Sequence, residues 1–170
     1  LTPALLALTG DLRSGLADIL SDGEKGEVHV TDTGAGLDLA FRSPRKLTPA
    51  LTAAMAKAFA GRDVARIVFN GEIVLGRNSP HVAFDGMAVA LPPHSFLQST
   101  REGEKALTAR VLALAEGAKT VADLFSGMGT FTLPLARRAK MHAVEQEAEA
   151  LTVLADAARK LGLAFKEIPE

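Results

Sequence analysis

The chain has 170 residues, 48% hydrophobic and 23% charged, with a formal net charge of -1; this is a globular profile with room for one large or two small cores. It contains no cysteine, which excludes disulfides, iron–sulfur clusters, thiolate metal sites and a cysteine nucleophile within these residues. The near-neutral charge argues against a general attraction to nucleic acid or anionic membrane, and no apolar run approaches the ~20 residues of a membrane span, so a cytoplasmic location is expected.

Thr2-Pro3 puts a cap and then a proline at a helix start, and Leu5, Leu8, Leu12, Leu16 and Ile19 follow at helical spacing until Ser21-Asp22-Gly23. The opening residues are a poor signal peptide, since nothing basic precedes their apolar part. The chain lacks a starting Met and is expected to be a piece of a longer protein. Residues 27–33 alternate as a strand, Gly34-Ala35-Gly36 turns, and 37–42 alternate back. Thr48-Pro49 opens a second helix with Leu51, Met55 and Phe59 on one face. Short strands are predicted at 65–69, 72–76, 82–85 and 87–91, separated by Asn70-Gly71, Asn78-Ser79-Pro80 and Asp85-Gly86. Residues 1–93 are therefore expected to form a small α+β domain with an antiparallel sheet, suited to substrate recognition.

Pro92-Pro93 marks the expected boundary. Beyond it, Ser99 or Thr100 caps a helix with an apolar stripe of Leu107, Val111 and Leu114, ended by Gly117. Residues 120–145 then read as a buried strand, a glycine turn (Ser126-Gly127-Met128-Gly129), a helix over 131–138 and a second strand over 139–144 with Glu145 at its end. A helix over 147–161 and a third strand over 163–168 continue the β-α-β-α-β alternation of a parallel sheet. A glycine turn lets a ligand approach the backbone, and an acid at the end of the second strand meets ribose hydroxyls. Residues 94–170 are thus expected to be the first half of a Rossmann-like α/β domain binding an adenosine-containing cofactor.

The choice of cofactor turns on Thr132, which stands where a dinucleotide-binding loop has its third glycine. No Lys-Ser/Thr pair follows the glycines, which excludes a Walker loop. S-adenosylmethionine carries no phosphate and needs only close backbone approach and an acid. An NAD-dependent dehydrogenase is weakened by the same residue. His29, His81, His94 and His142 have no paired spacing, so no metal site is expected.

Phe96-Leu97-Gln98-Ser99-Thr100, a helix, then Asp123-Leu124-Phe125-Ser126-Gly127-Met128-Gly129-Thr130-Phe131-Thr132-Leu133 resembles the RNA (uracil-5-)-methyltransferases, S-adenosylmethionine-dependent enzymes that make 5-methyluridine in ribosomal or transfer RNA. The resemblance covers residues 94–162 in detail and residues 1–93 only in general character. It implies that Gln98, Phe125, Gly127, Gly129, Thr130 and Glu145 bind S-adenosylmethionine, with Gln98 at the methionine end and Phe125 as a pocket wall. It implies an RNA partner, ribosomal RNA ahead of transfer RNA. Thr130 is also a candidate helix cap, and Asp123 is expected to hold the glycine loop rather than act as a base. Ser126 departs from the family's usual cysteine and Thr100 from its usual asparagine.

Uracil C5 is a weak carbon nucleophile, and the family activates it by adding a cysteine thiolate to C6 before a base removes the C5 proton. The resemblance places that cysteine and base in later strands, so no catalytic residue is assigned in this chain and it is not expected to methylate uridine alone. Candidate RNA contacts are Arg42, Arg45 and Lys46, or Arg62, Arg66 and Arg77, against a plain solvated surface. Arg137, Arg138 and Lys140 suit a helix C-terminus. Two further readings stay open: another class I methyltransferase, acting on a base nitrogen or a small molecule, and a non-catalytic RNA- or cofactor-binding module.

Overall fold

Helix α1 (Pro3–Ile19) starts as its sequence predicts, the Thr2 side chain accepting from the Leu5 N–H and Pro3 filling the first turn. In the computed structural model, residues 2–20, 23–163 and 165–169 are described; the expected helix stop at Ser21-Asp22 lies outside them. The chain divides into two units, Leu1–His81 and Val82–Glu170.

In the first unit, β1 (Glu27–Thr33) and β2 (Gly36–Arg42) form the expected hairpin, and α2 (Pro49–Ala58) is capped by Thr48. Strands β3 (Val64–Phe69) and β4 (Glu72–Gly76) complete a sheet of order β1-β2-β3-β4. The sheet is not wholly antiparallel as expected: β2 and β3 run parallel, with Phe41 opposite Phe69. The reason is α2, which carries the chain back along the sheet so that β3 re-enters in the direction of β2. Leu8, Ile19, Leu39, Phe41, Met55, Phe59, Ile67 and Phe69 form the core. Each such side chain contributes about 1.5–3 kcal/mol by burial. Asp38 and Arg66, cross-strand partners on β2 and β3, are paired inside this unit, with Arg66 Nε donating to Asp38 Oδ1 at 2.7 Å and Nη2 to Oδ2 at 2.8 Å.

The expected boundary at Pro92-Pro93 is displaced. Strands β5 (His81–Phe84) and β6 (Met87–Ala90) form their own two-stranded sheet. Its Phe84, Met87 and Val89, with Leu91, pack into one cluster with Met128, Leu133, Leu151 and Leu154 of the second unit. The hairpin turn has positive φ at both Asp85 and Gly86, as a tight two-residue turn requires. Its apolar side faces a later part of the chain, a choice that composition around the prolines does not record.

Helix α3 (Arg101–Leu114) follows, capped by Thr100, whose side chain accepts from the Gly103 N–H. Strands β7 (Thr120–Leu124), β8 (Lys140–Glu145) and β9 (Phe165–Pro169) then lie parallel in that order, with Leu124 opposite Val144. The short helix α4 (Thr132–Ala136) links β7 to β8, and α5 (Ala148–Lys160) links β8 to β9. α5 buries Leu151, Leu154 and four alanines, and Gly162 at φ +63° ends it. The α3 stripe behaves otherwise. Val111 and Leu112 pack on Leu135 and Met141, but Leu107 and Leu114 stay exposed, Leu114 by 75%. Among the described residues β7 is bonded to β8 alone, and Leu124 at its end is 64% exposed.

Candidate cofactor site

The sheet delivers a loop at the C-terminal end of β7, where ligands of open α/β sheets bind. Phe125 leaves the strand with φ +62°, a left-handed conformation unusual for a bulky residue, and the residue is 77% exposed. The Ser126 N–H donates to Val144 O at 3.0 Å, extending the β7–β8 ladder past the strand end. Met128 is buried in the cluster with Leu151 and Leu154 and anchors the loop from below.

Two glycines are required for different reasons. Gly127 has φ +54° and open space around the position of a Cβ, so only its backbone conformation favours glycine. Gly129 has φ +98°, and a Cβ there would collide with Leu154 Cδ1 and lie 3.1 Å from Leu133 Cγ. Close packing of the loop on α5 thus depends on the absent side chain.

Glu145, at the end of β8, closes the loop. Its Oε2 accepts from the Gly127 N–H at 2.6 Å and its Oε1 from the Glu147 N–H at 2.9 Å, joining the loop to the start of α5. A carboxylate has about four lone-pair sites, so two remain after these bonds. Behind the loop, the fully buried Thr132 donates its hydroxyl hydrogen to Asp123 Oδ2 at 2.5 Å. The Asp123 carboxyl titrates above its ordinary range because burial disfavours its charge. The hydrogen bonds from Thr132 oppose that rise, and the negative charge of Glu145 adds to it. The Ser126 Oγ is buried with no hydrogen-bond partner among the described residues.

Five of the six residues expected at a cofactor site, Phe125, Gly127, Gly129, Thr130 and Glu145, fall in this loop or are bonded to it. Gln98 is half-buried in the connection ahead of α3, and its neighbour Leu97 packs against the cluster that holds Met128. Thr130 does not cap α4: the residue at the cap is Phe131, and no side chain caps this helix. Asp123 ties strand to helix through Thr132 rather than bonding the loop glycines. That pairing was not predicted, because Thr132 marked only a missing glycine in the sequence. Leu154 beneath Gly129 belongs to an apolar helix face that periodicity finds without naming what it touches.

Three of the six candidate RNA-contact residues are engaged within the first unit. Arg66 is held by Asp38, Arg62 by Asp11, and Arg45 by Glu24 and the Ile19 carbonyl. Arg42, Lys46 and Arg77 remain exposed. In the second unit, Arg137 pairs with Asp85 at 3.5 Å.

No family model matches the chain. It is 40% identical over 158 residues to an uncharacterized RNA methyltransferase of Rhizobium meliloti, covering 93% of this chain and 38% of that protein. It is 31% identical over 147 residues to a 23S rRNA (uracil(1939)-C(5))-methyltransferase of Aeromonas salmonicida, covering 82% of this chain and 33% of that protein. Among solved structures, the Pyrococcus abyssi tRNA (uracil-54, C5)-methyltransferase in complex with S-adenosyl-L-homocysteine superposes with a TM-score of 0.69 at 16% identity, covering 94% of this chain and 45% of that one. The Methanocaldococcus jannaschii tRNA m1G37 methyltransferase gives 0.58 at 15% identity, covering 98% and 51%. The fold is that of these methyltransferases, and the chain spans a little over a third of the length of its Rhizobium relative.

Proposed function

We propose, on the premise that this chain is a homologous segment of the RNA methyltransferases just described, that its glycine loop binds S-adenosylmethionine for methyl transfer to C5 of a uridine in RNA. The observation that carries the reading is Glu145, which closes the loop through Gly127 and keeps two lone-pair sites for ribose hydroxyls. The charge around the loop fits the same ligand. The negative charge of Glu145 is felt at Asp123, a surrounding that favours a cationic ligand. When bound, the cofactor supplies an electrophilic methyl group on a positively charged sulfur.

In this reading Gly127 and Gly129 give the ligand access to the backbone, and Thr130 borders it. The exposed Phe125 supplies an apolar wall. Gln98 has both a donor and an acceptor for the methionine end. The second unit is then the cofactor unit and the first the RNA-recognition unit. Uracil C5 needs a nucleophile at C6, and the chain has no cysteine, so the groups that activate the base are assigned to the remainder of the polypeptide.

Ribosomal RNA is favoured over transfer RNA as substrate. The sequence kinship reaches a protein named for 23S rRNA at 31% identity, whereas the tRNA enzyme of similar fold shares 16%. Among the described residues no helix is long and apolar enough to cross a membrane, and the proposed RNA substrate supports a cytoplasmic setting. The test is calorimetric titration of the protein with S-adenosylmethionine, followed by transfer of labelled methyl to a uridine-containing rRNA fragment by the full-length polypeptide. Saturable cofactor binding with label at C5 supports the reading. Label on a base nitrogen moves it to another methyltransferase class, and no cofactor binding removes it.

A further inference from the structure

In the first unit, the connection between β2 and α2 runs through Ser43-Pro44-Arg45-Lys46, a polar and largely exposed segment. Its backbone is nevertheless fixed by side chains from elsewhere. Asn70, on the turn between β3 and β4, accepts from the Ser43 N–H at 3.0 Å through Oδ1. Its Nδ2 donates to Ser43 O at 2.9 Å and to Arg45 O at 2.8 Å. Asn70 is itself left-handed, at φ +50°, and its N–H donates to Phe41 O at 2.9 Å, which ties the clamp to β2. The Ser43 hydroxyl accepts from the Arg45 N–H and donates to Glu24 Oε1, each at 3.2 Å. The charges of the segment divide in the same way. Arg45 is committed to Glu24 and the Ile19 carbonyl. Arg42 and Lys46, on either side of the braced residues, are exposed and enter no ion pair among the described residues. Glu27 stands across the ladder from Arg42 without pairing with it.

We propose that the Asn70-braced segment is a phosphate-contact site for single-stranded RNA, with Arg42 and Lys46 meeting the backbone and Asn70 as the positioning residue. A surface segment held in one conformation before its partner arrives loses less freedom on binding than a loose one. Arg45 contributes by neutralising Glu24, which would otherwise repel a phosphate beside the two unshared cations. Contacts of this kind fix where and how an RNA strand lies and carry no base sequence. They also fit a chain without net positive charge, since the attraction is confined to one segment. The inference rests on the reading of the chain as part of an RNA methyltransferase, and it assigns the RNA contact to named residues of the first unit.

The experiment is fluorescence anisotropy of a labelled oligouridylate with the protein and its variants across a salt series. Each cation that neutralises a phosphate of a single strand adds about 0.7 to the slope of log affinity against log salt. Arg42→Ala and Lys46→Ala are each expected to lower that slope by about 0.7 and to weaken binding at low salt by roughly fivefold. Asn70→Gly keeps both cations and suits the left-handed backbone, and it is expected to weaken binding by a similar factor through the loosened segment. Lys160→Ala, at an exposed position of α5 in the second unit, removes one charge and should change neither quantity. Circular dichroism checks that each variant is folded. Should Asn70→Gly not fold, the two exposed cations still decide. No RNA binding by the unaltered protein, a slope unmoved by Arg42→Ala and Lys46→Ala, or an equal fall in Lys160→Ala overturns the site. Unchanged affinity in folded Asn70→Gly overturns the positioning role. Cofactor binding and methyl transfer are read separately, so loss of this site leaves the methyltransferase reading standing.

Discussion

Thr132 and Asp123 are nine positions apart and share a 2.5 Å hydrogen bond, with the threonine side chain fully buried. The bond locks the first turn of α4 to the end of β7. Replacing Thr132 by Val keeps the shape and deletes the donor, leaving a partly buried carboxylate short of a partner. A hydrogen bond to a charged group contributes about 1.5–3 kcal/mol, and a loss of that order in urea unfolding is expected. Asp123→Asn in the Thr132→Val background should recover part of it. Strictly additive single and double variants would show that the two side chains do not interact.

The same carboxyl gives the fold a pH dependence of definite sign. Its folded-state pKa lies above its ordinary value, mainly through burial. The folded chain therefore holds this proton more tightly than the unfolded chain does. Its contribution to stability is fully present below the unfolded pKa, about 3.9, and is lost as pH rises through the raised folded value. Unfolding midpoints measured from pH 4 to 7 should show this fall in the unaltered protein and a flatter profile in Asp123→Asn. Parallel profiles would assign the effect elsewhere.

The two loop glycines should respond differently to alanine. Gly127→Ala meets no neighbour and bears only the left-handed backbone cost, about 1–2 kcal/mol. Gly129→Ala adds a collision with Leu154 Cδ1, for which overpacking costs about 1–3 kcal/mol more. Thermal melts should rank them in that order, with Leu154→Ala relieving part of the Gly129→Ala deficit. An equal loss at both positions would mean that α5 moves aside without cost.

In the first unit, Arg66→Ala would strand the Asp38 carboxylate, which is buried. Removing one partner of a buried pair costs about 3–5 kcal/mol. Arg77→Ala, at an exposed position, should stay within about 0.5 kcal/mol. Fluorescence-free methods such as circular dichroism suit the comparison, the chain having no Trp or Tyr. Similar unfolding midpoints for the two variants would contradict the structural role of Arg66.

Helix starts were legible because their chemistry is local: Thr2-Pro3, Thr48-Pro49 and Thr100 cap the helices they predict. The glycine loop and Glu145 were legible because a turn between strand and helix restricts residue type. What escaped was set by partners far along the chain. Alternation in residues 37–42 and the short apolar run at 65–69 report a strand to bury but not the direction of its neighbour, so the parallel β2–β3 pair was missed. Pro92-Pro93 suggested a boundary, yet Phe84 and Met87 pack against Leu151 and Leu154 beyond it. Arg66 looked like a surface cation until Asp38 came beside it. Thr130 was a candidate cap, but α4 begins two residues later.

One edge of β7 sets how this chain behaves in a tube. Among the described residues the strand is bonded to β8 on one side only, and Leu124 and Phe125 lie exposed at its end. A bare strand edge beside apolar side chains is a template for other chains. Its cost is collective, growing with the number of molecules present while each remains folded. For these 170 residues prepared alone, concentration rather than temperature sets the working limit, and dilute samples should stay clear at temperatures where concentrated ones turn cloudy.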